Sequence, residues 1–339
     1  MFGDMRKLNY RVIALAACAV CCAMADPPSP EYPRINPAPW FEVDPAWPQK
    51  PAEFTWGAMA GVAVDKDDNV WIYTRATPSV QVYAPDGKYL FGWGEGTGAH
   101  HIMIDREGYV WTTDFVRHVV EKHERDGKVL LTLGVENEAG TDEKHFFRPT
   151  DVAVASNGDL FVSDGYGNAR IVHFTKDGTF VKTWGTLGVE DGQFSIPHSI
   201  AIDSKDRIYV CDRNNARVQV YSTEGALLDS WKHIAVPWSI FITDKDEIWI
   251  CGSSPMPWVN DPKYPHMPLG CPPKDQLVMR FNIDGKLQQL WTIPKGDDGS
   301  EKPGELNWVH CIALDSKRNL YLGDIQGKRV QRFLLSLSP

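Results

Sequence analysis

Six times between residues 61 and 321 a short apolar stretch ends on Asp, or on Ala or Thr in its place, and an aromatic side chain stands six positions later. The stretches are residues 61–65, 101–105, 151–155, 199–203, 239–243 and 311–315, and the aromatics are Trp71, Trp111, Phe161, Tyr209, Trp249 and Tyr321. A repeat of this kind constrains the fold more than any composition can, because each copy must be one supersecondary unit stacked on its neighbours. After the aromatic, most units carry a Val-x-Val-Tyr-like run, such as Val80-Gln81-Val82-Tyr83 and Val218-Gln219-Val220-Tyr221. An Asp-Gly or Glu-Gly turn follows in five units, at Gly87, Gly127, Gly178, Gly225 and Gly285. Asp-Gly turns join antiparallel strands because glycine accepts positive φ there. Each unit is therefore a four-stranded antiparallel meander. Successive units are 40, 50, 48, 40 and 72 residues apart, the last interval lengthened by an insertion near residues 252–275. Six such units without helical periodicity between them predict an all-β, six-bladed β-propeller over residues 54–337. The last unit has only three strands. Phe41-Glu42-Val43, in a Pro-rich lead-in at residues 26–53, is expected to supply the fourth and close the ring, leaving no open sheet edge.

In a propeller the first strand of every blade lines the central channel, so one register position becomes a ring. Five residues before the end of each stretch the chain reads Ala60, His100, Thr150, His198, Trp238 and His310. The imidazoles occupy alternate blades, about 120° apart, and converge on the axis with threefold disposition. Three neutral imidazoles suit Zn²⁺ and leave a coordination position open, the arrangement of a catalytic site; iron and copper take the same ligands. His101, one residue further, is expected to turn into its blade. Ten residues beyond the end of the stretch stand Arg75 in the first unit and Arg213 in the fourth, near the channel mouth. Two guanidiniums beside a metal make a receptor for a carboxylate. Tyr166 lies at the same end in the loop Asp164-Gly165-Tyr166-Gly167.

The formal charge of −9 comes without a basic run, which argues against nucleic acid as a partner. Arg6, Lys7 and Arg11 precede an apolar run at residues 12–25 that ends in a small-residue site, Ala23-Met24-Ala25. This reads as an export signal covering residues 1–25 and removed before Asp26. Leu15-Ala16-Ala17-Cys18 also resembles a bacterial lipoprotein box, which would leave Cys18 lipidated and the protein on a membrane. Both readings place the protein outside the cytoplasm, secreted or periplasmic, and a monomer is expected. Four cysteines remain after the signal: Cys211, Cys251, Cys271 and Cys311. In an exported protein Cys251 with Cys271 would close one irregular loop, though connectivity does not follow from sequence.

Three runs carry a resemblance to a known family: Phe147-Arg148-Pro149-Thr150-Asp151-Val152-Ala153-Val154, Val162-Ser163-Asp164-Gly165-Tyr166-Gly167-Asn168-Ala169-Arg170-Ile171-Val172, and Gly192-Gln193-Phe194-Ser195-Ile196-Pro197-His198-Ser199. They closely resemble the peptidyl-α-hydroxyglycine α-amidating lyases, six-bladed propellers of NHL-type repeats, and the similarity extends over residues 54–335. The resemblance implies zinc held by His100, His198 and His310, with Tyr166 as catalytic base and Arg75 and Arg213 around the substrate. The implied reaction breaks the C–N bond of a peptidyl-α-hydroxyglycine, a small-molecule or peptide substrate bearing a carboxylate, to an amide and glyoxylate. It also implies a structural Ca²⁺ on the backbone carbonyls of Val62 and Ile102 and on an Asp whose position here is Cys311. Trp308 stands where the family has methionine. The competing expectations are a lactonase-like metal-dependent hydrolase on the same scaffold, and a non-catalytic NHL platform that holds a protein partner through loops such as residues 255–273.

Overall fold

A computed structural model of the chain describes residues 40–96, 98–255 and 273–336. The chain divides into a first unit, Met1–Pro37, and a second, Ala38–Pro339. The export signal, Cys18, Cys271 and most of the insertion lie outside the described residues.

Among the described residues there are six four-stranded antiparallel sheets. Blade 1 runs Met59–Val64, Val70–Thr74, Val80–Tyr83 and Tyr89–Trp93, and blades 2 to 5 repeat that order. Their innermost strands are Ala99–Ile104, Asp151–Val154, Pro197–Ile202 and Val236–Ile242. Blade 6 consists of Val309–Leu314, Leu320–Asp324 and Arg329–Ser336, and its outer strand is Trp40–Asp44, paired from Trp40 with Ser336 to Asp44 with Arg332. The two ends of the propeller thus share one sheet, and the ring is closed by hydrogen bonds. The protein is a six-bladed β-propeller.

The repeated aromatic is where the core is built. Trp71, Trp111, Phe161, Tyr209, Trp249 and Tyr321 are all buried. Burial of a side chain of this size contributes roughly 1.5–3 kcal/mol. In four blades the Asp six residues earlier accepts the aromatic's donor: Trp71 Nε1 and Trp111 Nε1 donate to Asp65 and Asp105 at 3.0 and 2.9 Å, and the Tyr209 and Tyr321 hydroxyls donate to Asp203 and Asp315 at 3.0 and 3.1 Å. In blade 5 Thr243 stands in that place, and the buried Trp249 Nε1 has no acceptor among the described residues. Blade 3 has Phe161, which needs no acceptor, and Ala155 stands in place of the Asp. Apolar packing is organised between blades. Each of the six core clusters draws its side chains from two neighbouring blades, as Tyr209 and Trp231 of blade 4 pack with Ile248 and Phe281 of blade 5.

A second rule links the blades at their turns. Ser156, Ser204 and Ser316 each direct backbone N–H and hydroxyl to the carboxylate of Asp206, Asp246 and Asp68 in the next blade. The last of these joins blade 6 to blade 1, so the closing junction uses the same link as the junctions of blades 3 with 4 and 4 with 5.

Candidate metal centre

The ring position is set by a defect in the strand. In blades 1, 2, 4, 5 and 6 the pairing of the innermost strand slips by one residue, between Met59 and Gly61, Ala99 and His101, Pro197 and Ser199, Pro237 and Ser239, and Val309 and Cys311. The residue left over is Ala60, His100, His198, Trp238 or His310. A bulge leaves its extra residue outside the ladder and re-aims the side chain, and here the side chain goes to the channel.

The ring centroids of His100, His198 and His310 are 4.8, 4.9 and 4.9 Å apart, and one nitrogen from each lies within 4.8 Å of the other two. All three are buried. Their Nδ1 atoms contact the carbonyl oxygens of Thr150, Trp238 and Ala60 at 2.5, 2.5 and 2.9 Å. Those carbonyls belong to the ring residues of blades 3, 5 and 1. Even-numbered blades thus supply the imidazoles, and odd-numbered blades supply the acceptors that hold the proton on Nδ1. Each Nε2 is left as a lone pair, the form that binds metal. Burial is the first cause that pulls all three pKa values down, with repulsion from neighbouring imidazoles and from Arg75 or Arg213 adding to it. His310 is pushed down to about 3, and His100 and His198 lie well below their ordinary value. The trio is therefore neutral at physiological pH.

A second ring lies at the mouth. Arg75, Phe115, Tyr166, Arg213 and Ile325 follow the second strands of blades 1, 2, 3, 4 and 6. Each donates its backbone N–H, at 2.9–3.2 Å, to the carbonyl two residues before its own blade's ring position. Blade 3 alone has an additional residue, Gly165, before its member of this ring. A Cβ on Gly165 would come within 2.0 Å of the Pro197 carbonyl oxygen, and one on Gly167 within 2.2 Å of Phe147. Gly165 lets the loop press against blade 4, Gly167 lets it lie on Phe147 in the segment that leads into blade 3, and together they carry Tyr166 over the trio. Its hydroxyl is 3.1 Å from His100 Nε2 and 2.9 Å from His198 Nε2. The Gly165→Ala variant is expected to bind metal and to lose at least about tenfold in turnover by displacing Tyr166 by about an ångström, measured as kcat beside metal content.

Arg213, in a single 3-10 turn over Arg213–Asn215, is buried, with its guanidinium 4.5 Å from the Trp238 ring and 5.9 Å from the Tyr166 ring. Arg75 lies 4.8 Å from the Phe115 ring and donates from Nε to the Ala99 carbonyl at 3.0 Å. Asp164 and Asp212, the last residues of the second strands of blades 3 and 4, pair with Arg170 and Arg217 at 2.9 and 2.7 Å. Burial pushes the Tyr166 phenol above its ordinary value, and the charges of Arg213 and Arg75 pull it back only in part. Desolvation thus outweighs the stabilisation of a phenolate by these two cations.

Sequence reasoning placed His101 inside its blade. Because the bulge breaks the two-residue alternation, His101 lines the same cavity as the trio, and its Nε2 is 2.9 Å from Asp151 Oδ1. Phe115 and Trp238, the aromatic walls beside the two arginines, were not singled out as functional; the position ten residues past each stretch would have found Phe115.

The trio's nitrogen-only donor set fits zinc. The calcium expectation fits poorly. Val62 and Ile102 lie on the innermost strands of neighbouring blades, but burial drives the Cys311 thiol well above its ordinary pKa, and a neutral sulfur is a poor ligand for an oxygen-seeking cation. Cys251 is buried and free among the described residues.

Comparison with known proteins gives the setting. The NHL repeat model matches residues 146–174 and 194–221. Human NHL repeat-containing protein 3 is 32% identical over 317 residues, covering 87% of this chain and 84% of its own. The peptidylglycine α-amidating monooxygenase of Rattus norvegicus is 29% identical over 83% of this chain, which spans 30% of that protein's length. A probable peptidyl-α-hydroxyglycine α-amidating lyase of Caenorhabditis elegans is 39% identical over 136 residues, 40% of this chain and 39% of its own. Among solved structures, a streptogramin B lyase superposes with a TM-score of 0.56 at 14% identity, over 84% of this chain and 95% of that one, a likeness of fold. The chain belongs to the family of NHL-repeat six-bladed β-propellers that includes NHL repeat-containing protein 3 and the peptidyl-α-hydroxyglycine α-amidating lyases.

Proposed function

We propose that this protein is an exported zinc-dependent lyase that cleaves the C–N bond of a peptidyl-α-hydroxyglycine, or a related α-hydroxy amide, to an amide and glyoxylate. The observation that carries the reading is Tyr166, whose hydroxyl sits 2.9 and 3.1 Å from the free nitrogens of two of three converging imidazoles, with Arg75 and Arg213 beside it. When bound to His100, His198 and His310, zinc supplies a Lewis-acid charge that lowers the pKa of oxygens at the site.

The protein's own groups do the rest. Arg213 and Arg75 take the substrate carboxylate, the part that leaves as glyoxylate, and orient the α-carbon toward Tyr166. Tyr166, as phenolate, accepts the proton of the α-hydroxyl. As that proton leaves, the carbinol oxygen forms the aldehyde carbonyl, the C–N bond breaks, and its electron pair stays on nitrogen. The nitrogen then takes that proton from Tyr166, which gives the amide and restores the phenolate. Burial of the site excludes water that would compete for these hydrogen bonds.

Metal analysis of the purified protein, together with glyoxylate release from a model N-acyl-α-hydroxyglycine, tests the proposal. About one zinc per chain and zinc-dependent glyoxylate release are expected. Protein that binds no transition metal overturns the metal-dependent readings together and leaves the binding platform. Metal without glyoxylate release overturns the lyase in favour of a hydrolase.

A further inference from the structure

The residues directly after the ring position form a layer of their own: Gly61, His101, Asp151, Ser199, Ser239 and Cys311. Asp151 is fully buried. Its Oδ1 lies 2.9 Å from His101 Nε2 and accepts the Val152 N–H at 2.6 Å, and its Oδ2 accepts the Ser199 hydroxyl at 2.7 Å and the Ile200 N–H at 2.9 Å. Ser199 Oγ in turn accepts the Ile240 N–H of blade 5 at 3.2 Å. An ionised carboxylate offers about four acceptor sites, and all are used here, by groups from blades 2, 3 and 4.

The positions of these donors connect them to the metal trio. His101 follows His100 in the chain, and Ser199 follows His198. Asp151 itself follows Thr150, whose carbonyl holds His100 Nδ1. Two of the three imidazoles, and the acceptor that orients one of them, are thus one peptide bond from a group on this carboxylate. His310 is not: Cys311 follows it, and its acceptor is the Ala60 carbonyl.

We propose that Asp151 is a positioning residue of the metal centre, a single carboxylate that draws blades 2, 3 and 4 together so that His100 and His198 meet the metal from fixed directions, while His310 is placed independently. This rests on the metal-binding reading above. The carboxylate touches neither metal nor substrate, and it acts through His101, Ser199 and the backbone. An amide in its place presents two N–H groups to a site lined by donors, so one pair of contacts becomes a clash.

Asp151→Asn and Ser199→Ala, with the wild type, are compared by zinc affinity, by the visible spectrum of the Co²⁺-substituted protein, and by denaturant unfolding of the metal-free form. Loss of an outer group that orients a ligand typically costs roughly 10–100-fold in metal affinity, and that loss is expected for Asp151→Asn, with a changed cobalt spectrum. Ser199→Ala, which removes one of the four contacts, is expected to lose several-fold and to show a smaller spectral change. Wild-type zinc affinity and cobalt spectrum in Asp151→Asn overturn the proposal, and so does lower metal-free stability with unchanged affinity, which assigns Asp151 to the fold alone. If Asp151→Asn does not fold, Ser199→Ala decides by the same criteria. A wild type that binds no zinc overturns the metal reading itself, a result distinct from a wild type and a variant that bind it equally.

Discussion

Replacing Tyr166 with phenylalanine is expected to leave zinc in place and to slow glyoxylate release by roughly 10²–10⁴-fold, the range for removing a positioned general base. The ring keeps its packing against His100, His198 and Phe115, so the fold loses little. What disappears is the one oxygen that bridges the free nitrogens of His100 and His198. The metal-free variant should therefore be less stable than the metal-free wild type, because the single phenol O–H that one of these buried nitrogens accepts is gone, and zinc should restore the difference. His198→Ala gives the opposite pattern, with zinc lost and activity lost with it. Zinc content and kcat measured on both variants separate the roles. Full activity in Tyr166→Phe would remove Tyr166 from the chemistry, and zinc loss in that variant would make it a ligand instead of a base.

The second large effect is on stability in acid. In the unfolded chain the imidazoles titrate near 6.5, whereas burial holds His310 near 3 and His100 and His198 well below their ordinary value. Between about pH 6.5 and those depressed values the unfolded state binds protons that the native state refuses. Metal-free stability is therefore full above pH 6.5 and falls as the pH drops, by about 1.4 kcal/mol per pH unit for each imidazole and about 4 kcal/mol for the three. His123 and His118, also depressed, act in the same direction, and His145, raised by Asp142, opposes them. Urea midpoints at pH 7, 6 and 5 in the presence of a chelator read the slope above the carboxylate range. His310→Gln should remove about a third of the trio's share. A midpoint that does not change between pH 7 and 5 would contradict neutral, buried imidazoles.

Much of this architecture was legible because each blade pays for the same geometry with the same residues. The spacing from Asp65 to Trp71 recurs in four blades because an indole or phenol buried at that point donates to the Asp. In blades 3 and 5, where Ala155 and Thr243 stand in place of the Asp, the burial of Phe161 and Trp249 keeps it. The alternation of His100, His198 and His310 was visible for the same reason, since a ring position keeps its register. Tyr166 was not visible by register, because Gly165 shifts blade 3 by one residue; its Gly-flanked loop placed it at the channel mouth, and only the resemblance to the lyases gave it the role of base. His101 was misplaced because alternation assumes an unbroken ladder, and no residue type marks a bulge. The link from Asp151 to His101 and Ser199 joins residues 50 and 48 positions away, and no local pattern shows which blades will face each other.

The bulge also separates two tasks that an ordinary strand combines. In a regular ladder, changing an inward residue changes what the blade packs against its neighbour. Here the residue at the axis stands outside the pairing, and five bulged blades hold alanine, histidine or tryptophan there without alteration of the strands on either side. The axis is in effect a set of sockets, filled one by one on a frame that does not register what fills them. A propeller of this kind can acquire, exchange or lose a metal centre through single substitutions, and its chemistry is free to diverge while its shape stays constant.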